Sequence, residues 1–130
     1  MPKHIPHQHY SENPYELVDK TIIHPDIEHH DHEGEVTHYL LPTVFSIAQG
    51  AQFVAKYPGQ GVFYFSEGEL KHEDHDNPGS HIAMKAGSVL HVEEGSVFRW
   101  HCSSPEGAKG FGVFYVPITV KSIDEFIVNE

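Results

Sequence analysis

Seven short segments rich in Val, Phe and Tyr follow one another from Val36 onward, and their spacing limits the fold more than any other feature of the sequence. Clusters of Gly, Pro, Asn and Ser separate the segments at intervals of roughly ten residues, which is typical of an all-β sandwich or barrel. β-Branched and aromatic residues favour strands, whereas the separating residues favour turns. The segments are THYLLPTVFSIA, AQFVAKY, GVFYFSEGEL, SHIAMKAG, SVLHVEEG, SVFRWHCSS and KGFGVFYVP.

Two polar regions flank these strands. Residues 1–35 are rich in histidine, acid and proline, so we expect an extended arm with a short strand over 16–23. At the other end Ser122 is a suitable N-cap, and acidic residues follow it in the first turn. The sequence therefore predicts an arm over 1–35, a barrel over 36–118 and a short helix over 119–130.

The segment KHEDHDNPGSH contains the strongest turn signal of the chain. Its Asn77-Pro78-Gly79 tripeptide predicts a hairpin between the two strands that flank it. With 130 residues, of which 38% are hydrophobic and 12% aromatic, the chain has enough apolar material for one core and one domain.

Charge and composition exclude several classes of function. Nineteen acidic against eight basic residues give a net charge of -11, which argues against nucleic acid or an anionic membrane as a partner. No apolar run approaches the ~20 residues that span a bilayer. The start MPKHIPHQHY lacks the apolar stretch of a signal peptide, and the lone Cys102 excludes an internal disulfide framework. We therefore expect a cytoplasmic protein.

Thirteen histidines make this chain histidine-rich, and two interpretations of them compete. Either some of the histidines bind a metal or move protons, or most of them are surface residues in polar segments. His29, His30 and His32 form a contiguous cluster, but a loop rarely aims three such side chains at one point. His72 and His75 lie in the hairpin segment, where the turn residues favour exposure to solvent.

Two glycine-framed stretches resemble the paired motifs of the cupin superfamily. In the first, Gly61 and Gly68 bracket a strand that ends in a tight turn. In the second, Gly87 is followed after five residues by a turn position and then by Gly95, in the family's spacing. The resemblance covers roughly residues 40–118 and implies a small cupin β-barrel, or jelly roll.

The resemblance also implies where a cupin holds its metal, and those positions carry no ligand here. Counting back from Gly68, the glutamate position holds Gly61, and the ligand position of the second motif holds Phe98. The two histidine positions of the first motif hold either Val54 and Lys56 or Ala55 and Tyr57. A divalent metal needs several N or O donors, so we expect no metal and no other cofactor at the usual site.

Among cupins without these ligands, the chain is most similar to the ethanolamine-utilisation Q-type group. The runs VLHVEEGSVFRWHCSSPEG and GVFYVP carry this similarity. It implies a compact RmlC-like barrel that is usually a homodimer. Activities vary among such relatives, so the resemblance supports the fold more strongly than the function.

Strand alternation predicts which side chains line the barrel. If the family register holds, five side chains point inward and form an aromatic, mostly apolar pocket for a hydrophobic or planar small molecule. The alternative is that these side chains fill a narrow barrel completely. The five are Phe63, Phe65, Phe98, Trp100 and Cys102.

Candidate catalytic groups are His91, Tyr64 and Tyr115. His91 lies in the apolar strand SVLHV and would act as a general acid or base, with a nearby tyrosine completing the proton transfer. Alternatively, His91 is partly buried and hydrogen-bonded to the backbone. Cys102 is either a nucleophile with a lowered pKa or, as a lone cysteine more commonly is, a small buried apolar residue.

The sequence thus favours a small-molecule enzyme without the usual metal site, which would perform isomerisation, cyclisation or elimination on an apolar ligand. A second hypothesis is a non-catalytic cupin that binds a small molecule or acts as a scaffold. A third is a metal-dependent cupin in which a divalent ion is bound by atypical histidines from 24–38 after the arm folds over the barrel mouth.

Overall fold

The structure, a computed structural model, describes His4, 15–25 and 37–129. The strands are β1 (Tyr15–Val18), β2 (Thr21–Pro25), β3 (His38–Ile47), β4 (Gln52–Lys56), β5 (Gly61–Asp74), β6 (His81–Lys85), β7 (Val89–Val92), β8 (Val97–His101), β9 (Ala108–Pro117) and β10 (Ile127–Val128). Three strands, β3, β5 and β9, have ten or more residues and the others are short, and a 3₁₀ turn, Ile123–Phe126, precedes the last strand.

All seven predicted β segments are strands, which confirms the all-β prediction. The Asn77-Pro78-Gly79 turn joins β5 to β6 as an antiparallel hairpin, as expected. Residues 16–23 differ from the prediction because they hold a hairpin of two strands, β1 and β2, instead of one strand. Lys20 takes a left-handed φ of 65° in the turn between them, which the sequence does not signal.

The strands form one antiparallel sheet that curls on itself, with β5 at the bend. Residues 61–68 of β5 pair with β7 and β9, in a first sheet that continues through β3 and β2 to β1. From residue 69 onward, β5 pairs with β6 and β8 in a second sheet that continues through β4 to β10. The two sheets enclose the core between them.

A bulge in β5 reverses which side chains face the core. Before it, Phe63 and Phe65 are buried, whereas after it the buried residues are Leu70 and His72. The register shift falls between Phe65 and Glu67, where the strand leaves the ladder of the first sheet. Because one extra residue moves every later side chain to the other face, odd positions point inward before the bulge and even positions after it.

The curled sheet closes at one seam through side chains. β1 and β10 are the two outermost strands, and Tyr15 on β1 donates a hydrogen bond to Asp124 in the 3₁₀ turn. The Ser122 N-cap forms as predicted, because its hydroxyl accepts from the Asp124 N–H and Glu125 reaches back to the N-cap N–H. The helix predicted over 119–130 is wrong, since the 3₁₀ turn ends at Phe126, where the backbone becomes extended and continues as β10. Ile123 and Phe126 are thereby buried under the seam.

Most of the predicted arm, 1–35, lies outside the described residues. Its described part beyond His4 is the β1–β2 hairpin, which joins the first sheet through β3. In the part of the chain that the structure describes, no helix has the length and apolar character needed to cross a membrane.

The two motif glycines Gly68 and Gly87 allow a test of how tightly β5 bends. Both have positive φ, at 77° and 91°, so alanine strains the backbone at either position. A Cβ on Gly68 would also lie 1.8 Å from the Gly107 carbonyl oxygen, whereas a Cβ on Gly87 would meet nothing within 4 Å. Gly68→Ala should therefore lower the free energy of unfolding by about 1–3 kcal/mol more than Gly87→Ala. Urea denaturation of both variants measures the difference, and equal losses would contradict the close approach at Gly68.

Candidate functional site

The barrel interior contains a small apolar cavity. Its volume is about 50 Å³, and side chains from both sheets, the seam and the 3₁₀ turn line it. Pockets for drug-sized ligands measure ~300–1,000 Å³, and an engineered apolar cavity that binds benzene measures ~150 Å³. The interior is therefore a nearly filled core with room for a few atoms.

Aromatic rings occupy the place where a cupin holds its metal. The inward pair of the first motif is Ala55 and Tyr57, since both are buried and line the cavity. The Tyr57 ring stacks on Phe114 at 5.5 Å and lies 6.1 Å from Phe98, the second-motif position. A Cβ on Gly61, the glutamate position, would lie 2.3 Å from the Phe114 ring. The four positions that the resemblance assigns to metal ligands together offer a single hydroxyl, so they lack the donors that the metal of a cupin needs.

That hydroxyl is already engaged. The Trp100 indole N–H donates to the Tyr57 hydroxyl oxygen at 2.8 Å, and both residues are buried. Burial raises the pKa of Tyr57 far above its ordinary value, against a smaller lowering by the Trp100 hydrogen bond. Tyr57 therefore stays a neutral phenol at any physiological pH, and the hydrogen bond fixes its ring in the core.

All five residues predicted to point inward are buried, but they do not form one pocket. Phe63, Phe65 and Trp100 line the cavity, whereas Phe98 and Cys102 are buried outside its lining. Burial raises the pKa of the Cys102 thiol, only partly offset by a backbone hydrogen bond to Ser104. An activated cysteine needs a lowered pKa, so Cys102 has the character of a core residue.

The three predicted catalytic residues do not border the barrel cavity, which corrects our expectation for them. His91, Tyr64 and Tyr115 are all exposed on the outer surface of the first sheet. Alternation is the cause, because Tyr64 lies between the buried Phe63 and Phe65. Cross-strand pairing places His91 opposite Val62, and Tyr115 opposite Leu40 on the far side of β9.

Tyr115 lies instead beside a shallow groove at one end of the barrel. The groove has a volume of about 310 Å³ and is lined by His38, Gln60, Glu93 and Glu94 together with Gly59 and Tyr115. The His38 ring stacks on Tyr115 at 4.9 Å and hydrogen-bonds to the Thr37 hydroxyl. His38 is thus held against the sheet, and its side chain points away from the barrel cavity.

Two of the buried polar residues are threonines that line the cavity. Thr43 donates a hydrogen bond to the Gly112 carbonyl at 3.2 Å. The Thr21 hydroxyl has no hydrogen-bond partner, although Thr21 is only 2% exposed. A buried hydroxyl without a partner costs about 1–3 kcal/mol, so Thr21 is an unexplained polar group on the cavity wall.

His72 is buried, although the sequence predicts it in solvent near the hairpin turn. The bulge turns the even positions of β5 inward, which corrects that expectation. Its ring packs 5.0 Å from Phe98 and 5.2 Å from Trp100, and neither ring nitrogen has a hydrogen-bond partner. Desolvation lowers the pKa of His72, with a smaller opposing effect from Asp74.

The other histidines give no metal site in the described part of the chain, where no group of three His, Cys, Asp or Glu side chains is placed to hold an ion. The cluster of His29, His30 and His32 lies outside the described residues, as does most of the alternative ligand set 24–38. His81 pairs with Glu73 at 3.1 Å on the outside of the second sheet.

The environment of His72 predicts a loss of stability in mild acid. The neutral ring is favoured in the folded state, whereas in the unfolded state its pKa is ~6.5. The contribution of the neutral His72 ring to the free energy of unfolding is therefore complete above pH ~6.5, and it is lost as the pH falls toward the lower pKa of the folded state. Each pKa unit that separates the folded from the unfolded state corresponds to about 1.4 kcal/mol of this free energy.

Replacing His72 by Leu should flatten the pH dependence of unfolding as the pH falls below ~6.5, where the unfolded wild-type histidine takes up a proton more readily than the folded one. The matched control is His101→Leu, which changes an exposed histidine on the neighbouring strand β8. Urea denaturation at several pH values measures both slopes. If the free energy of unfolding of the His72 variant depended on pH as steeply as that of the wild type, the conclusion that His72 is buried in its neutral form would be wrong.

No protein-family profile matches this sequence, and a search of curated proteins finds no match either. Solved structures do match. KdgF from Halomonas sp. is 10% identical with a TM-score of 0.59, and the match covers 82% of this chain and 90% of that protein. The Cnp3 cupin domain of Schizosaccharomyces pombe is 13% identical with a TM-score of 0.59, covering 81% and 68%.

A third similar structure, named for ethanolamine utilization protein Q of Salmonella typhimurium LT2, is 17% identical with a TM-score of 0.56, covering 73% of this chain and 68% of that one. Structural similarity at sequence identities this low shows the fold and leaves the activity open. Together with the curled antiparallel sheet and its glycine-framed bends, they show that the chain has the cupin fold, an all-β jelly-roll barrel.

Proposed function

We propose that this chain is a non-catalytic cupin scaffold, in which the barrel interior is a structural core and the outer surface makes the functional contacts. The observation that carries the proposal is the aromatic cluster at the family's metal position. Tyr57, Phe98 and Phe114 fill the space where a cupin holds its ion, and the remaining cavity of about 50 Å³ is smaller than a substrate.

The buried titratable groups favour the same conclusion. Burial holds Tyr57, Cys102 and His72 in their neutral forms, and His72 does not line the cavity. Acid–base catalysis needs a pKa near the working pH and a partner within hydrogen-bond reach. The Tyr57 hydroxyl is instead bonded to Trp100, and the His72 ring nitrogens have no partner. The single buried thiol fits a reducing, cytoplasmic location.

The mass and metal content of the purified protein test this proposal. Native mass spectrometry of tag-free protein should give multiples of the chain mass of 14.7 kDa with nothing further bound. Elemental analysis should find less than one metal ion per chain. A stoichiometric metal, or a co-purified small molecule released on denaturation, would contradict the scaffold.

A second candidate function, favoured by the unpartnered Thr21 hydroxyl, is the binding of a compact apolar molecule that carries one hydrogen-bonding group. Thr21 and Leu17 of the β1–β2 hairpin line the cavity on one side of the seam, and Ile123 and Phe126 line it on the other. A co-purified molecule of this kind would support the second candidate.

Two threonine variants distinguish the two candidate functions, because they should change the free energy of unfolding in opposite directions. In a purely structural core, Thr21→Val removes an unpartnered hydroxyl at constant shape and should raise the free energy of unfolding by about 1 kcal/mol. The control Thr43→Val removes the hydrogen bond to Gly112 and should lower it by about 1 kcal/mol. Thermal unfolding measures both. If Thr21→Val also destabilised the purified protein, its hydroxyl would have a bound partner and the second candidate would gain support.

A further inference from the structure

The groove at one end of the barrel combines three kinds of chemical group. We call it the end groove, and its volume of about 310 Å³ lies at the lower end of the ~300–1,000 Å³ that is typical of binding pockets. An aromatic pair, two carboxylates and one amide side chain line it over a buried glycine. The six residues are His38, Gly59, Gln60, Glu93, Glu94 and Tyr115.

The aromatic pair gives the end groove a flat surface that is open to solvent. The rings of His38 and Tyr115 lie at 17° to each other, with centroids 4.9 Å apart. The Thr37 hydroxyl hydrogen-bonds to Nδ1 of His38 at 2.9 Å, and Tyr115 exposes 44% of its surface. The π-system of a tyrosine carries negative charge on its faces, so this surface attracts a cation.

The two carboxylates of the end groove lack a counter-charge. Glu93 and Glu94 are exposed in the turn between β7 and β8, and neither forms an ion pair with another residue that the structure describes. No described lysine or arginine lines the groove. Glu67 is different, since it pairs with Lys109 at 3.7 Å. The end groove therefore places uncompensated negative charge beside an aromatic surface.

Backbone contacts hold the end groove in shape. The Gly95 N–H donates to the Tyr57 carbonyl at 2.8 Å, which ties the turn of the two glutamates to the chain before β5. The Tyr115 N–H donates to the Gln60 carbonyl, also at 2.8 Å. A Cβ on Gly59 would lie 1.8 Å from the Tyr115 carbonyl oxygen, so this connection lies directly against β9. A preformed groove loses little conformational entropy when a ligand binds.

A guanidinium group matches this combination of groups better than an ammonium group does. It is planar and stacks on an aromatic face, while its fork of N–H donors reaches the oxygens of a carboxylate. An ammonium group is a compact, strongly hydrated charge that gains less from a flat surface. Because the chain carries a net charge of -11, its electrostatic field attracts basic partners.

We propose that the end groove binds an arginine side chain of a basic partner protein. The guanidinium plane lies against Tyr115, and its N–H groups donate to the carboxylate of Glu93 or Glu94. The choice of a protein as the partner rests on the proposed function, because a scaffold acts through contacts of its outer surface. A metal or ligand found inside the barrel would contradict the scaffold but would leave the test of the groove unaffected.

NMR titration of the isotope-labelled full chain with short peptides tests the proposal. The tripeptide Gly-Arg-Gly, acetylated and amidated at its ends, should bind with a dissociation constant on the order of 1 mM and shift the amide signals of residues 59–60, 93–95 and 115. The peptide with citrulline, a neutral isostere of arginine, should bind at least ~10-fold more weakly. The peptide with lysine should bind about 3-fold more weakly. Free methylguanidinium, which lacks the peptide's flanking contacts, should also bind about 3-fold more weakly.

Variants of the end groove supply the second readout. Glu93→Gln and Glu94→Gln should each raise the dissociation constant of the arginine peptide at least ~3-fold. The matched control is Glu106→Gln, which changes the net charge by the same amount at an exposed residue outside the groove lining and should have no effect. Tyr115→Leu should raise the dissociation constant about 3-fold, whereas Tyr115→Phe keeps the ring and should not.

Circular dichroism establishes that each variant is folded, and the comparison of peptides on the wild type stands even if a variant is not. Equal binding of the arginine peptide and either the citrulline or the lysine peptide would overturn the proposal. So would an equal effect of Glu94→Gln and Glu106→Gln. If methylguanidinium bound as tightly as the arginine peptide, the groove would hold a free cation, and the protein partner would be wrong.

Discussion

The bend of β5 at Gly68 is the constraint on which the rest of the structure depends. One strand belongs to both sheets, so the position of its bend decides where the sheet curls and how far apart its two walls lie. Gly68 satisfies two conditions at once, a φ of 77° and a backbone approach to the Gly107 carbonyl that leaves no room for a Cβ. The bulge beside it also changes which side chains of the strand point inward. Phe63 and Phe65 therefore face the core before the bulge, and His72 faces it after the bulge.

The aromatic cluster follows from the same geometry. A cupin barrel that holds a metal needs polar donors converging on its axis, and those donors keep a wet space open. With Ala55, Tyr57, Gly61 and Phe98 at the four positions, nothing holds such a space open, and the Phe114 ring occupies the volume beside Gly61 that a larger side chain would take. The Tyr57–Trp100 hydrogen bond then satisfies two polar atoms inside the core. The replacements are thus mutually consistent, as expected of a close-packed core.

The sequence predicted what depends on local chemistry. Turn residues and β-rich runs located seven of the ten strands, the Asn77-Pro78-Gly79 hairpin and the Ser122 cap, and alternation placed Phe63, Phe65 and Trp100 inside. Strict use of the same alternation would also have placed Tyr64 and His91 on the outside, although both were expected to act at the pocket. His72 could not be placed in this way, because the bulge that reverses the parity of β5 is fixed by pairing with β9, about forty residues further along the chain.

The strands at the centre of the first sheet carry apolar residues on both of their faces. A strand with one face in water alternates apolar and polar residues, whereas a strand buried on both faces reads as an almost continuous apolar run. VFRWH of β8 and ELKHED at the end of β5 alternate, and apart from Val97 their outward side chains are charged or polar. GVFYF at the start of β5 and FGVFYVP in β9 do not alternate, and these two strands pair with each other. Their inner faces account for only half of these apolar residues, and the other half is exposed on the outside of the first sheet. The apolar runs therefore mark the two strands that bend and close the barrel, but they do not say which face of each residue is buried, and only the pairing register does.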